Sequence, residues 1–160
     1  MDVVPLPPVG IGMVLGLLEM LEDAEGREDI FKLARGLSLE LDDIEPVIEA
    51  AVLLGLVKIS DGDIIITEVG KNLLAADING RKAILARQLE GIEVFKEVFR
   101  LLNSTGKRSI RREKLVDFFE QSMSDEDAEQ LFKTIVDWGR FAEVISYDPQ
   151  SERLYLEQVK

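Results

Sequence analysis

A chain of 160 residues, 46% of them apolar, is long enough for one ordinary domain or two small ones and can bury a core. Its 31 acidic and 19 basic residues leave a net charge of −12, opposite in sign to surfaces that neutralise nucleic-acid phosphates. Without cysteine or histidine it can build no disulfide, thiolate nucleophile, Cys/His zinc site or imidazole acid–base pair, and the lack of cysteine fits a cytoplasmic protein.

The first uncharged run, Val3 to Leu18, is shorter than the roughly 20 residues of a membrane span and carries three prolines and three glycines. Asp2 stands where a signal peptide would be positive. The run therefore predicts no membrane insertion, but an extended lead through Pro5, Pro7 and Pro8 into a helix over about Val9–Leu21. Val14, Leu17, Leu18 and Leu21 share one face of that helix. Asp29 is placed to cap a short helix, "IFKLARGL", which ends at Gly36. A third helix over about Asp43–Leu54 tolerates Pro46 in its first turn, presents Ile44, Val47, Ile48, Ala51 and Leu54 as its apolar face, and stops at Gly55. "LVKIS-DG-DIIIT" then reads as a hairpin on a tight Asp61-Gly62 turn, and Thr67 caps the helix "EVGKNLLAAD". Asp61 and Asp63 are explained better by that turn than by a metal. Helix, helix, helix, hairpin, helix is the order of a winged helix.

"INGRK" marks the joint between a unit over 1–80, with its Pro-rich lead, and a unit over 81–160. The first holds 5 basic and 16 acidic residues, the second 14 and 15, so their surfaces differ. A long helix over about Ala83–Leu102 opens the second unit. Leu85, Leu89, Ile92, Phe95, Phe99 and Leu102 repeat along it in a heptad-like seam, with Val94, Val98 and Leu101 as a second edge. Two apolar edges suit a helix that bridges the cores of the two units, or one that pairs with its copy in a homodimer. After "NSTGKR", Ser109 is placed to cap "IRREKLVDFFEQSM", Ser124 caps "DEDAEQLFKTIVDWGRFA" with Asp127 as its partner, and "EVISYD-PQSE-RLYLE" makes a second hairpin. The expectation is an α+β, mainly helical chain of two tandem winged-helix-like units joined by a long helix.

Winged helices usually read DNA with the second helix of the helix-turn-helix. Here that helix carries Asp42, Asp43, Glu45 and Glu49 and no cation in the first unit, and opens with "DEDAEQ" in the second. Phosphate would be repelled by both, so nucleic acid is not the expected partner, and a winged-helix transcription regulator is the alternative rather than the main reading. Lys107, Arg108, Arg111, Arg112 and Lys114 crowd one short stretch. They suit a solvated helix face, a site for an acidic protein surface, or a site for phosphate groups or nucleic acid. No phosphate-binding loop, nucleophile elbow or distinctive carboxylate pair is present, which predicts a non-enzymatic protein with no catalytic residues, cofactor or metal.

The most specific stretch is "DWGRFAEVISYD", Asp137 to Asp148. It resembles the C-terminal AAA-associated domain family, whose members carry a run like D-W-G-R-Y-A-E. "PLPP", "GLLEMLE", "EAAVLLGL", "GDIIITEVG" and "DINGRK" agree with that pattern, from about Pro5 to Glu157; Phe141 departs from it where tyrosine is common. Such domains are found fused behind the ATPase subunit of nitrate/sulfonate/taurine/bicarbonate-type ATP-binding-cassette importers, and some stand alone. The resemblance implies a regulatory or docking module whose partner is a transporter ATPase, cytoplasmic and peripheral to the membrane. Trp138 and Arg140 enter as partner-contact candidates beside Lys107, Arg108, Arg111 and Arg112, with a core role for Trp138 and a carboxylate or helix-end partner for Arg140 as the structural alternative.

Overall fold

The computed structural model describes residues 3–157; Asp2, whose charge bears on the signal-peptide reading, lies outside them. The chain is α+β and mainly helical, with eight helices and two three-stranded sheets among the described residues. It divides into two compact units, one over Val9–Gln88 and one formed by residues 3–8 together with residues 89–157. The Pro-rich lead thus groups with the second unit. Its Leu6 is buried, and the Val3 amide donates to the Ser122 hydroxyl at 3.1 Å.

In the first unit, α1 (Ile11–Asp23) is followed by β1 (Arg27–Asp29), α2 (Ile30–Gly36), α3 (Leu41–Leu53), β2 (Val57–Ser60), β3 (Asp63–Ile66), α4 (Glu68–Ala75) and α5 (Ile78–Glu90). The apolar stripe of α1, Val14, Leu17, Leu18 and Leu21, is fully buried, as are Leu33 of α2 and Ile44 of α3. Both predicted caps form: the Asp29 carboxylate accepts from the Lys32 amide at 2.9 Å and the Thr67 hydroxyl from the Gly70 amide at 3.1 Å. Asp61 and Gly62 both take positive φ, the backbone a type I′ hairpin needs. Asp63 gives its carboxylate to Arg27 at 2.7 Å, an ion pair across the sheet. Gly70 lets α4 lie against the turn between α3 and β2: a Cβ there would stand 2.4 Å from the Leu56 carbonyl oxygen.

The second unit repeats the order. Helix α6 (Glu93–Asn103) is followed by β4 (Ser109–Arg111), α7 (Arg112–Glu120), α8 (Asp125–Phe141), β5 (Ile145–Asp148) and β6 (Arg153–Leu156). The sheets match as well, β1-β3-β2 in the first unit and β4-β6-β5 in the second, all antiparallel. Ser124 caps α8 through the Asp127 amide at 3.1 Å. The core is aromatic: Phe95, Phe119, Phe132 and Trp138 are fully buried, and Phe95 stacks on Trp138 with ring centroids 6.4 Å apart.

Three expectations need correcting. The long helix over Ala83–Leu102 is two helices, α5 and α6, parted at Gly91 and Ile92. Glycine is a poor helix former, and Ile92 takes extended backbone at the start of α6. The heptad spacing therefore straddles a break, and Leu85, Leu89, Ile92, Phe95 and Leu102 are buried within a single copy of the chain, so no continuous exposed seam runs along one helix. Ser109 does not cap a helix: it is buried in β4, and α7 begins only at Arg112. Strands β1 and β4 themselves were not expected. "RED" and "SIR" have no alternating apolar pattern, and each is a strand only because the second strand of the following hairpin pairs with it.

Candidate functional site

The crowded cations around residue 110 separate into two groups in space. Arg112 turns toward α8. Its guanidinium donates to the Glu129 carboxylate and sits 4.9 Å from the Phe132 ring centroid, and Phe132 meets Tyr147 edge-on at 5.4 Å. The hydrogen bond that Arg112 donates to Glu129 raises the Arg112 pKa above its ordinary value. The side chain therefore locks the start of α7 to α8 and β5.

Lys107 and Arg111 go the other way. With Lys114 and Arg153 they line a cleft of about 510 Å³ between the end of α6, the loop after it, β4 and α7. Leu101, Ile110 and Phe118 form its apolar part, and none of its described lining residues is a carboxylate. In the β4–β6 ladder Ile110 pairs with Leu154 and both are buried, while Ser109 and Arg111 on either side pair with Tyr155 and Arg153. Arg111 and Arg153 are thus cross-strand partners of like charge. Arg153 donates to the Ser109 hydroxyl at 3.0 Å. On its other flank β5 offers Asp148, but that carboxylate accepts from the Gln150 amide at 3.0 Å and the Ser151 hydroxyl at 2.9 Å within the hairpin loop. These bonds, first that from Ser151, hold its pKa below the usual carboxylate range.

Helix α7 sorts charge by face. Lys114 and Phe118, one turn apart, look into the cleft, whereas Glu113, Asp117 and Glu120 line a separate hollow with Glu129 and Glu152. Glu120 is pushed above its ordinary pKa by loss of hydration, then by the neighbouring charges of Asp125 and Asp117. The opening turn of α8 is thus set against an acidic neighbourhood.

The remaining candidates do not join the cleft. Arg108 is exposed and shapes the loop through its backbone: at positive φ, its amide donates to the Thr105 carbonyl and its carbonyl accepts from the Leu156 amide at 3.0 Å. Trp138 has no exposed surface and serves the core, so it cannot be a direct contact. Arg140 is exposed in the last turn of α8, where a cation suits the negative end of the helix. Beside Trp138, Gly139 sits where a Cβ would come within 2.3 Å of Ile145, so the Trp-Gly pair is a packing device that brings α8 onto β5. The missed cleft residues were Phe118 and Arg153. Phe118 read as one more apolar helix position, and Arg153, 44 residues after Ser109, arrives only through strand pairing.

An αβααββ order used twice, with matching sheets, defines a mainly helical α+β chain. The sequence model of the C-terminal AAA-associated domain matches residues 31–148, well over half the length, and the chain belongs to that family. The match takes in α2 through β5, including the Asp137–Asp148 motif, and leaves "PLPP" and "GLLEMLE" outside. No curated protein and no solved structure matched the chain. Among the described residues no helix is long and apolar enough to cross a membrane.

Proposed function

We propose that this chain is a non-enzymatic regulatory or docking module, built of two winged-helix units, that acts on the ATPase of an ATP-binding-cassette importer of the nitrate/sulfonate/taurine/bicarbonate type. Membership of the AAA-associated family carries the reading. The winged-helix description is supported by the element order and by a hairpin after the third helix of each unit. A protein partner, rather than DNA, is supported by the helices that would enter a groove. The exposed residues of α3 include Asp42, Asp43, Glu45 and Glu49, and α8 opens on Asp125, Glu126 and Asp127. Duplex DNA meeting either would place phosphate against carboxylate. No cofactor or metal is part of the proposal, and cytoplasmic action at the membrane transporter follows from the partner.

Co-purification of the chain with such an ATPase, and a change in its ATP turnover, test the reading. Stable association with altered turnover is expected. A duplex-DNA affinity in the sub-micromolar range at roughly physiological salt, with no association with the ATPase, would replace this reading with that of a transcription regulator.

A further inference from the structure

We infer that the cleft between α6, β4 and α7 is the docking pocket, and that its occupant is an acidic peptide segment carrying a bulky apolar side chain. This rests on the docking reading above and adds the chemistry of the contact. Four cations, Lys107, Arg111, Lys114 and Arg153, surround the cleft with no carboxylate among its described lining residues. That is unexpected in a chain of net charge −12. None of the four makes an ion pair with a described residue, while Arg27, Lys32, Lys71, Lys96, Arg100 and Arg112 all do.

Like charge is also concentrated where the fold gains nothing from it. Arg111 and Arg153 oppose each other across the β4–β6 ladder, an arrangement that destabilises a sheet. The nearest carboxylate on the ladder, Asp148, is committed to its own loop. An anionic partner would convert this repulsion into charge-assisted hydrogen bonds, with Arg111 and Arg153 offering planar forks and Lys107 and Lys114 mobile point charges.

The apolar part decides the rest. Leu101, Ile110 and Phe118 give the cleft a floor that free phosphate or a bare carboxylate would leave unused, and its volume of about 510 Å³ holds a large side chain with the backbone around it. Several cations at the rim match several carboxylates better than one. A nucleic acid would meet the rim equally well, but its neighbours would bring it against Glu113, Asp117 and Glu120 on the other face of α7. A short peptide need not reach that face. The pocket is therefore a hydrophobic anchor site with a basic rim, the arrangement in which apolar contact gives affinity and charge sets register and partner choice.

The test uses the full chain and fluorescein-labelled peptides in anisotropy titrations. The probe has the core Asp-Glu-Phe-Glu-Asp. Controls replace phenylalanine by glycine or the acids by lysine, and a 20-base-pair duplex is titrated alongside. Saturable, salt-sensitive binding of the probe is expected. It should weaken about tenfold or more on losing the phenylalanine, or in the double variant Arg111→Glu/Lys114→Glu, and stay within about twofold in Arg140→Glu. Amide shifts on binding should cluster at Leu101, Thr105, Lys114 and Phe118, with near-unchanged spectra elsewhere showing that the variants remain folded. No saturable binding, binding indifferent to Arg111 and Lys114, or tighter binding of the duplex through the same residues would overturn the assignment. Capture of an ATPase equally by wild type and double variant leaves the docking function standing and removes this pocket from it. Peptide binding at the cleft without ATPase capture keeps the pocket and removes the transporter partner.

Discussion

The two units share an element order and a sheet order, yet differ in both core and surface. The first is built on aliphatic side chains: its only aromatic residue, Phe31, is exposed. The second buries Phe95, Phe119, Phe132 and Trp138 together. One architecture is thus specified by where apolar residues fall rather than by which they are, in line with the tolerance of cores for different fillings of similar volume. The surfaces diverge further. The helix α3 of the first unit is an acidic face, while the second unit gathers around a cleft four cations that make no ion pair among the described residues. Identical topology therefore does not assign identical tasks.

The largest effect should come from the aromatic core. Trp138→Ala removes the biggest fully buried side chain and is expected to cost about 3–5 kcal/mol, read as a fall in the urea midpoint. A cost below about 1 kcal/mol would mean that the aromatic core of the second unit is not what holds it. Next, the glycines of the two units should behave differently. Gly70→Ala drives a Cβ into the Leu56 carbonyl oxygen, a backbone atom that cannot rotate away, and should cost about 1–3 kcal/mol. Gly139→Ala meets the Ile145 side chain, which can shift, and should cost less. Equal costs by thermal unfolding would erase this distinction.

The smallest effect separates the two strand-to-helix corners. Asp29 ends β1 and caps α2, whereas Arg111 ends β4 at the same place and cannot accept a hydrogen bond. The Arg112 amide there donates instead to the Glu152 carbonyl at 2.8 Å. Asp29→Ala should destabilise by about 1 kcal/mol and Arg111→Ala by only a few tenths or not at all. Relief of the Arg111–Arg153 repulsion could even make the latter stabilising. A larger loss for Arg111→Ala would show that its charge serves the fold.

Much of this was legible from the sequence, for definite reasons. Many helices announce themselves through apolar periodicity and through Asp29, Thr67 and Ser124, side chains whose capping chemistry is local. Asp61-Gly62 declares its turn because few other pairs accept two positive φ values. What the sequence hid depends on distant partners. β1 and β4 exist only through pairing with β3 and β6. The break at Gly91 was masked because the apolar residues on either side keep a regular spacing across it. The cleft was half visible: Lys107, Arg111 and Lys114 are neighbours in sequence, but Arg112 points away from them, and Arg153 and Phe118 complete the site from other elements. The charge cluster thus supplied three of the four cations that line the cleft, while Arg108 and Arg112 lie outside it.

The most direct measurement compares the two units as docking surfaces. The full chain would be titrated against a transporter ATPase of the proposed type in three forms: wild type, the cleft reversal Arg111→Glu/Lys114→Glu, and the α3 reversal Asp42→Lys/Asp43→Lys. The account predicts that the cleft reversal weakens association about tenfold or more while the α3 reversal leaves it within about twofold. Association that survives the cleft reversal and fails with the α3 reversal would place the docking surface on the wrong unit and contradict the account.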